Sequence, residues 1–256
     1  MTTALERAAR ELADRRRSGR RGPRLQEDAR PADVDAALAL QYCVTAEIGD
    51  RIDGWKCALP SGGRTIVAPL FSSTVRRASP CPMRVRGNTA PIEPEIAFVL
   101  AQDLPPRASP YGEADVRAAV GATHIVLELM DNRYDDPVSV PFPELLADFA
   151  NNEGLYVGPR VERGVDRPLE RIALTIRMPA GVLLEHDGMH PEGHPLKPLV
   201  WLANFLPAQR RGQYLRAGDI VTTGSYAGAR DVPLDVPLWI EFGDLGTIAV
   251  ELTAQR

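Results

Sequence analysis

Apolar positions recur at helical spacing near the start of the chain. Leu5, Ala8, Ala9 and Leu12 share one face of a helix predicted over residues 3–17, with Thr3 as its cap and Glu6 three residues on. The arginine-rich run Arg15-Arg16-Arg17-Ser18-Gly19-Arg20-Arg21-Gly22-Pro23 ends it. Such a run can bind phosphates, but by composition it reads as a solvated linker. A second helix begins after Pro31, where Val34, Ala37, Leu38, Leu40, Gln41 and Val44 make an apolar face that runs to Ile48. Together they predict a helical arm over residues 1–52. From Asp53 the pattern changes to short apolar runs broken by Gly and Pro, which predicts a β-rich domain over residues 53–256. Two helices interrupt it, at 113–120 and at 196–211, the latter with Leu199, Val200, Leu202, Ala203 and Leu206 facing inward. The 23 prolines are spread through the sheet region, which suits corners and edge strands. There is no internal repeat.

Within the β pattern one stretch carries unusual charge. Ile92-Glu93-Pro94-Glu95-Ile96-Ala97-Phe98-Val99-Leu100 reads as a strand, and alternation points Glu93 and Glu95 the same way. Adjacent carboxylates repel unless a proton or cation lies between them. A later run, Ile125-Val126-Leu127-Glu128-Leu129-Met130-Asp131, places Glu128 among apolar neighbours, where a lone charge is costly. Convergence of Glu93, Glu95 and Glu128 on a hard divalent cation, Mg²⁺ or Mn²⁺, removes all three costs. The other reading puts Glu93 and Glu95 on the solvated face of an edge strand, which Pro94 also suits.

Composition narrows the class. Charged residues at 25% and hydrophobic ones at 44% are ordinary for a globular protein, and a net charge of -4 argues against general nucleic-acid binding. The chain is long enough for a full core. Cys43, Cys57 and Cys81 are odd in number and lack metal or disulfide spacing, which suits a reducing cytoplasm. No apolar run is long enough for a membrane span, and the N-terminus lacks the apolar core of a signal peptide.

Of 30 basic residues only Lys56 and Lys197 are lysines. Lys197, among prolines, reads as a snorkelling side chain. Lys56, in Gly54-Trp55-Lys56-Cys57-Ala58-Leu59, reads as half buried in a strand, where desolvation is expected to lower its pKa and suit it to proton transfer. The run from Arg216 to Ser225, ending Thr222-Thr223-Gly224-Ser225, reads as a turn and strand closing in a small-residue loop. Such a loop lets backbone N–H groups approach an anion, or is an ordinary turn. His186, His190 and His194 have helical metal spacing, but Gly188, Pro191 and Gly193 break a helix, so they are expected to decorate a loop. His124 reads as a satisfied core histidine.

Glu-Pro-Glu-Ile-Ala-Phe followed by Glu-Leu-Met-Asp-Asn-Arg-Tyr resembles the paired metal motifs of the fumarylacetoacetate hydrolase superfamily, most closely its 2-keto-4-pentenoate hydratase branch. The resemblance runs from about Val34 to Val250. It implies an α+β protein with the mixed β-roll or sandwich core of that superfamily's C-terminal domains and a small helical N-terminal arm. It implies metal ligation by Glu93, Glu95 and Glu128, and an active-site role for Lys56 in the Gly-aromatic-Lys motif. By the "AGD-(I/V)-V-x-TG-S" block, Thr223 and Ser225 contact the substrate carboxylate. By the segment Leu146-Ala147-Asp148-Phe149-Ala150-Asn151-Asn152-Glu153-Gly154, Asn152 lies nearest the substrate, although Phe149 interrupts the usual run.

The chain departs from the family at Ile66-Val67-Ala68-Pro69-Leu70-Phe71, where many relatives carry an Asp before the Leu. Leu70 is then expected to line the substrate site, and Glu153, or a water held by Asn152, to take over a second proton transfer.

The implied activity is metal-dependent hydration of a 2-hydroxy-2,4-dienoate or 2-oxo-4-enoate to a 4-hydroxy-2-oxo acid, in aromatic catabolism. The expected partner is a small 2-oxo acid substrate, with no nucleic acid and no membrane, in a cytoplasmic homo-oligomer. A 2-oxo-enoate decarboxylase would use the same site. A C–C bond hydrolase ranks lower, because no histidine precedes the metal motif to activate water. A catalytically silent partner subunit is the alternative outside enzymology.

Overall fold

A computed structural model describes residues 3–209 and 211–255. Helix α1 (Ala4–Ser18) starts with the expected capping box between Thr3 and Glu6 and buries Ala8, Ala9, Leu12 and Ala13. Helix α2 (Val34–Ile48) is capped by Asp33, whose carboxylate accepts the Ala36 N–H, and buries Ala37, Leu40, Gln41 and Val44. Their apolar faces share a cluster with Ala68, Phe71, Leu146, Ala147 and Phe149, so the arm packs onto the β-rich part that follows.

That part contains β1 (Ile52–Ser61), β2 (Arg64–Phe71), β3 (Val75–Arg76), β4 (Cys81–Met83), β5 (Thr89–Leu100), β6 (Val120–Met130), β7 (Asn152–Arg160), β8 (Arg171–Met178), β9 (Gly181–Met189), β10 (Ile220–Ser225), β11 (Arg230–Pro233), β12 (Pro237–Phe242) and β13 (Thr247–Ala254). Helices α3 (Glu113–Ala119), α4 (Phe142–Ala147) and α5 (Leu196–Ala208) interrupt them. Both predicted helices are present; α4, only six residues long, has too short a period to read from sequence. The β1–β2 hairpin closes through Gly62 and Gly63, both at positive φ (56° and 74°), the backbone that a two-residue turn requires.

The strands form two sheets. One has eight strands in the order β2-β1-β10-β5-β6-β7-β3, with β11 also paired to β5; the other has five in the order β4-β13-β12-β8-β9. Ile92, Ile96, Phe98 and Leu100 of β5, with Ile125, Leu127 and Leu129 of β6, enter a core shared with Leu174, Ile176, Leu238, Ile240, Phe242, Ile248 and Val250 of the five-stranded sheet. Alternation then turns Glu93, Glu95 and Glu128 to the other face, beside a small cluster of Leu70, Ala97, Val126, Leu155, Val157 and Ile220.

The arginine run is not a solvated linker. Arg15 is buried and donates to the Arg133 carbonyl (3.0 Å). Arg16 pairs with Asp148 (2.7 Å) and Arg21 with Asp131 (2.6 Å). Composition could not show this, because the Arg133 carbonyl and the buried carboxylates of Asp148 and Asp131, all more than a hundred residues away, draw these guanidinium groups inward. No helix among the described residues is long and apolar enough to cross a membrane.

Candidate metal centre

Strands β5 and β6 pair antiparallel with Glu93 directly opposite Glu128, and Glu95 lies two residues along the same face. Oxygen atoms of the three carboxylates all lie within 4.8 Å of one another. One oxygen of Glu95 accepts the Thr222 hydroxyl and the Gly224 N–H (3.0 Å). Gly224 has φ 126°, and a Cβ there would press on Pro191 and on His190 Nε2. Glu128 Oε1 accepts from Lys56 Nζ (2.5 Å) and Asn152 Nδ2 (2.9 Å). Lys56 also donates to the Ala150 carbonyl (3.0 Å). That carbonyl is presented by an unusual turn: Phe149, Ala150 and Asn151 all have positive φ (61°, 50° and 65°).

Burial, then the charge of Glu128, raises Glu93 to about 7; burial and the charges of Glu128 and Glu93 raise Glu95 to about 8. Lys56 moves against the sequence expectation. Burial alone pulls its pKa down, but Glu128, Glu93 and Glu95 together carry it above the ordinary lysine value. In the metal-free site these carboxylates favour its ammonium form. Three oxygen donors whose charges repel without a positive partner fit a hard divalent cation of the Mg²⁺ type. Cys57, the nearest soft donor in sequence, is held as a thiol by burial and by Glu95, with Sγ on the Pro198 carbonyl (3.6 Å).

The structure thus brings Lys56, Glu93, Glu95, Glu128 and Asn152 together. Leu70 is fully buried on the same sheet face, against Ala97, Val126 and Leu155. Thr223 is turned away from the carboxylates. Its neighbour Thr222 pairs with Ala97 and faces Glu95, so alternation sends Thr223 to the opposite side, where its buried hydroxyl has no partner among the described residues. The Ser225 hydroxyl is taken up locally, 3.3 Å from the Pro94 carbonyl and 3.4 Å from that of Gly228. Glu153 lies apart from the triad: Arg133 donates to its carboxylate, and Arg84 lies 3.4 Å from it. Both guanidinium groups occupy this carboxylate, and its placement does not put it beside the triad.

Sequence reasoning missed Thr222, Gly224 and Ala150, two of which act through backbone groups. It also misplaced His190, which is buried rather than on a loop surface. Its Nε2 donates to the Thr223 carbonyl (3.1 Å) and its Nδ1 accepts the Glu192 N–H (3.2 Å), and burial lowers it to about 4. His186 lies on β9. His124 is satisfied, with Nδ1 2.9 Å from the Gly158 carbonyl.

A cavity of about 340 Å³ lies near the ends of β5 and β6, with Asp131 and Asn132 in its wall. Pro91 and Met130, each two residues from a glutamate of the triad on the same strand, line it with Arg86, Asn151, Leu145 and the exposed Val138.

No protein-family model matches the chain. It is 30% identical over 213 residues to a 2-keto-4-pentenoate hydratase of Paraburkholderia phymatum, covering 78% of this chain and 79% of that protein. It is 28% identical over 158 residues to a 4-oxalocrotonate decarboxylase of Pseudomonas putida, covering 62% and 58%. Among solved structures, it resembles 4-oxalocrotonate decarboxylase from Pseudomonas putida G7 complexed with magnesium and adipate. The TM-score there is 0.77 at 19% identity, covering 98% of this chain and 99% of that one.

Proposed function

The chain belongs to the family of 2-keto-4-pentenoate hydratases, and from that premise we propose that it hydrates a 2-hydroxy-2,4-dienoate to a 4-hydroxy-2-oxo acid at a divalent cation. The observation that carries this reading is the convergence of Glu93, Glu95 and Glu128 on one sheet face with the Lys56 ammonium against them.

When bound, Mg²⁺ or Mn²⁺ supplies Lewis-acid stabilisation of the negative charge that develops at the substrate's C1 carboxylate and C2 oxygen. The reaction moves the O2 proton to C5 and then adds water, its oxygen to C4 and its proton to C3. Lys56, held as an ammonium by Glu128 and the Ala150 carbonyl, stands beside the substrate's oxygens and holds a proton there. Asn152 fixes the rotamer of Glu128, and Thr222 and Gly224 fix that of Glu95. The distal end of the substrate occupies the 340 Å³ cavity.

A second reading is decarboxylation of a 2-oxo-enoate bearing another carboxylate. The decarboxylase relative favours it. The test is to supply Mg²⁺ with 2-hydroxypenta-2,4-dienoate, and separately with 4-oxalocrotonate, and to follow product mass and CO₂. The hydratase reading expects gain of water without CO₂, abolished by Glu93→Gln, Glu95→Gln or Glu128→Gln. Release of CO₂ from 4-oxalocrotonate without hydration would establish the second reading. Metal binding with no turnover of either compound would leave a silent partner subunit.

A further inference from the structure

The reaction leaves a second cavity unused. Glu128, Asn152 and Leu70 lie on the triad's side of the sheet, whereas the residues that follow them, Leu129, Glu153 and Phe71, line a cavity of about 280 Å³ on the other side. One strand's thickness separates it from the carboxylates. A ligand there cannot touch a substrate held on the triad.

Its wall is rich in positive charge. Arg16 and Arg17 reach it from the last turn of α1, Arg76 from β3, and Arg84 from the segment after β4. The compensating anions are few and already engaged. Glu153 is shared between Arg133 and Arg84, Arg16 is tied to Asp148, and Arg17 pairs with Asp14 where both are largely exposed. Among the described residues Arg76 makes no ion pair. Burial, together with Arg16, Arg21 and Arg76, holds the Arg84 guanidinium below its usual range, although Asp131 opposes the shift. Ser73, Thr74 and Gln255 add neutral polar side chains to the rim. Like charges crowded around a volume of this size are stabilised by an anion with several oxygens.

We propose that this cavity is a binding site for a small doubly charged oxyanion, a dicarboxylate or a phosphate, distinct from the substrate site. Arg16 connects it to the reaction. The same guanidinium donates to the carbonyls of Asp148 (2.7 Å) and Asn152 (2.9 Å), and so grips the turn that presents the Ala150 carbonyl to Lys56 and the Asn152 amide to Glu128. An anion that draws on Arg16 acts on that turn from behind.

The test is calorimetric titration of the metal-free protein at low ionic strength, once with succinate and once with inorganic phosphate. One saturable site is expected for at least one of them, and the anion that binds tighter identifies the source. Arg76→Gln and Arg84→Gln should each weaken it by about tenfold or more, the loss of a charged hydrogen bond. Arg107→Gln, at an exposed guanidinium paired with Asp115, should leave it unchanged. Arg76 has no ion-pair partner to strand, so that variant is expected to fold even if Arg84→Gln does not; melting without anion checks both. Mg²⁺ should not alter the affinity, and a bound anion should change kcat without competing with substrate. Absence of saturable binding by either anion, or unchanged binding in Arg76→Gln, overturns the proposal. So does binding that appears only with Mg²⁺, which would place the anion at the carboxylates. None of these binding measurements depends on which reaction the enzyme catalyses.

Discussion

Glu95 is 2% exposed, carries a hydroxyl and a peptide N–H on one oxygen, and has two further carboxylates within 4.8 Å. Its pKa of about 8 and that of Glu93, about 7, lie above the 4.5 of a free glutamate, because burial and mutual repulsion oppose ionisation. The folded metal-free protein therefore binds more protons than the unfolded chain between those limits, and its stability falls as pH rises through them. A cation must displace the same protons. We expect Mg²⁺ affinity to tighten from about pH 6 to about pH 8.5, with proton uptake by the buffer in calorimetry. An affinity flat over that range would put the cation elsewhere. The triad was legible through the resemblance of its two motifs, because on spacing alone a solvated edge strand accounts for Glu93 and Glu95 equally well. The direction of the Lys56 shift was not, since three carboxylates outweigh burial only when the fold packs them against it. Nor could Thr222 be told from Thr223: adjacent threonines differ only in which faces Glu95, and the pairing of β10 with β5 decides that.

At the scale of elements, the link between α4 and β7 sets the site's geometry. Three consecutive left-handed residues without glycine are costly, about 1–2 kcal/mol each in a bulky L-residue, and neighbouring contacts hold them. The Phe149 ring stands edge-on to Phe71 at 5.2 Å, and the Arg16 guanidinium lies over it at 4.4 Å. This explains why a phenylalanine interrupts a segment expected to hold only small and polar residues. Ala150→Gly should keep turnover and raise the melting temperature slightly, because glycine adopts φ 50° without strain. Ala150→Val should lower both, since a β-branched residue resists that backbone and would shift the carbonyl that Lys56 uses. Equal kcat in the two variants would show that the carbonyl's position does not matter. The helices of the arm were legible from their period, and α1 from its cap as well. Their anchoring was not, because the partners of Arg15, Arg16 and Arg21 lie far along the chain.

Across the whole molecule, a net charge of -4 conceals a strong separation of charge. Asp131 alone is gripped by Arg21 (2.6 Å), Arg86 (3.1 Å) and Arg133 (2.6 Å), while the triad gathers three carboxylates with one lysine. Repulsion at the triad is a cost the metal-free fold carries, and a bound cation converts it into stabilisation. At Mg²⁺ about a hundredfold above its Kd, linkage adds about 2.7 kcal/mol. For a chain of this length that corresponds to a rise of about 5–10 °C in melting temperature. Glu93→Gln, isosteric but neutral, removes one repelling charge and one ligand together. Without metal, at about pH 8 where the wild-type carboxylates ionise, the variant should melt higher than wild type. With Mg²⁺ the order should reverse, because only the wild type gains the full linkage term. A variant that stays less stable than wild type without metal would mean that Glu93 supports the fold through contacts other than charge. A variant that gains as much from Mg²⁺ as wild type would remove Glu93 from the ligand set.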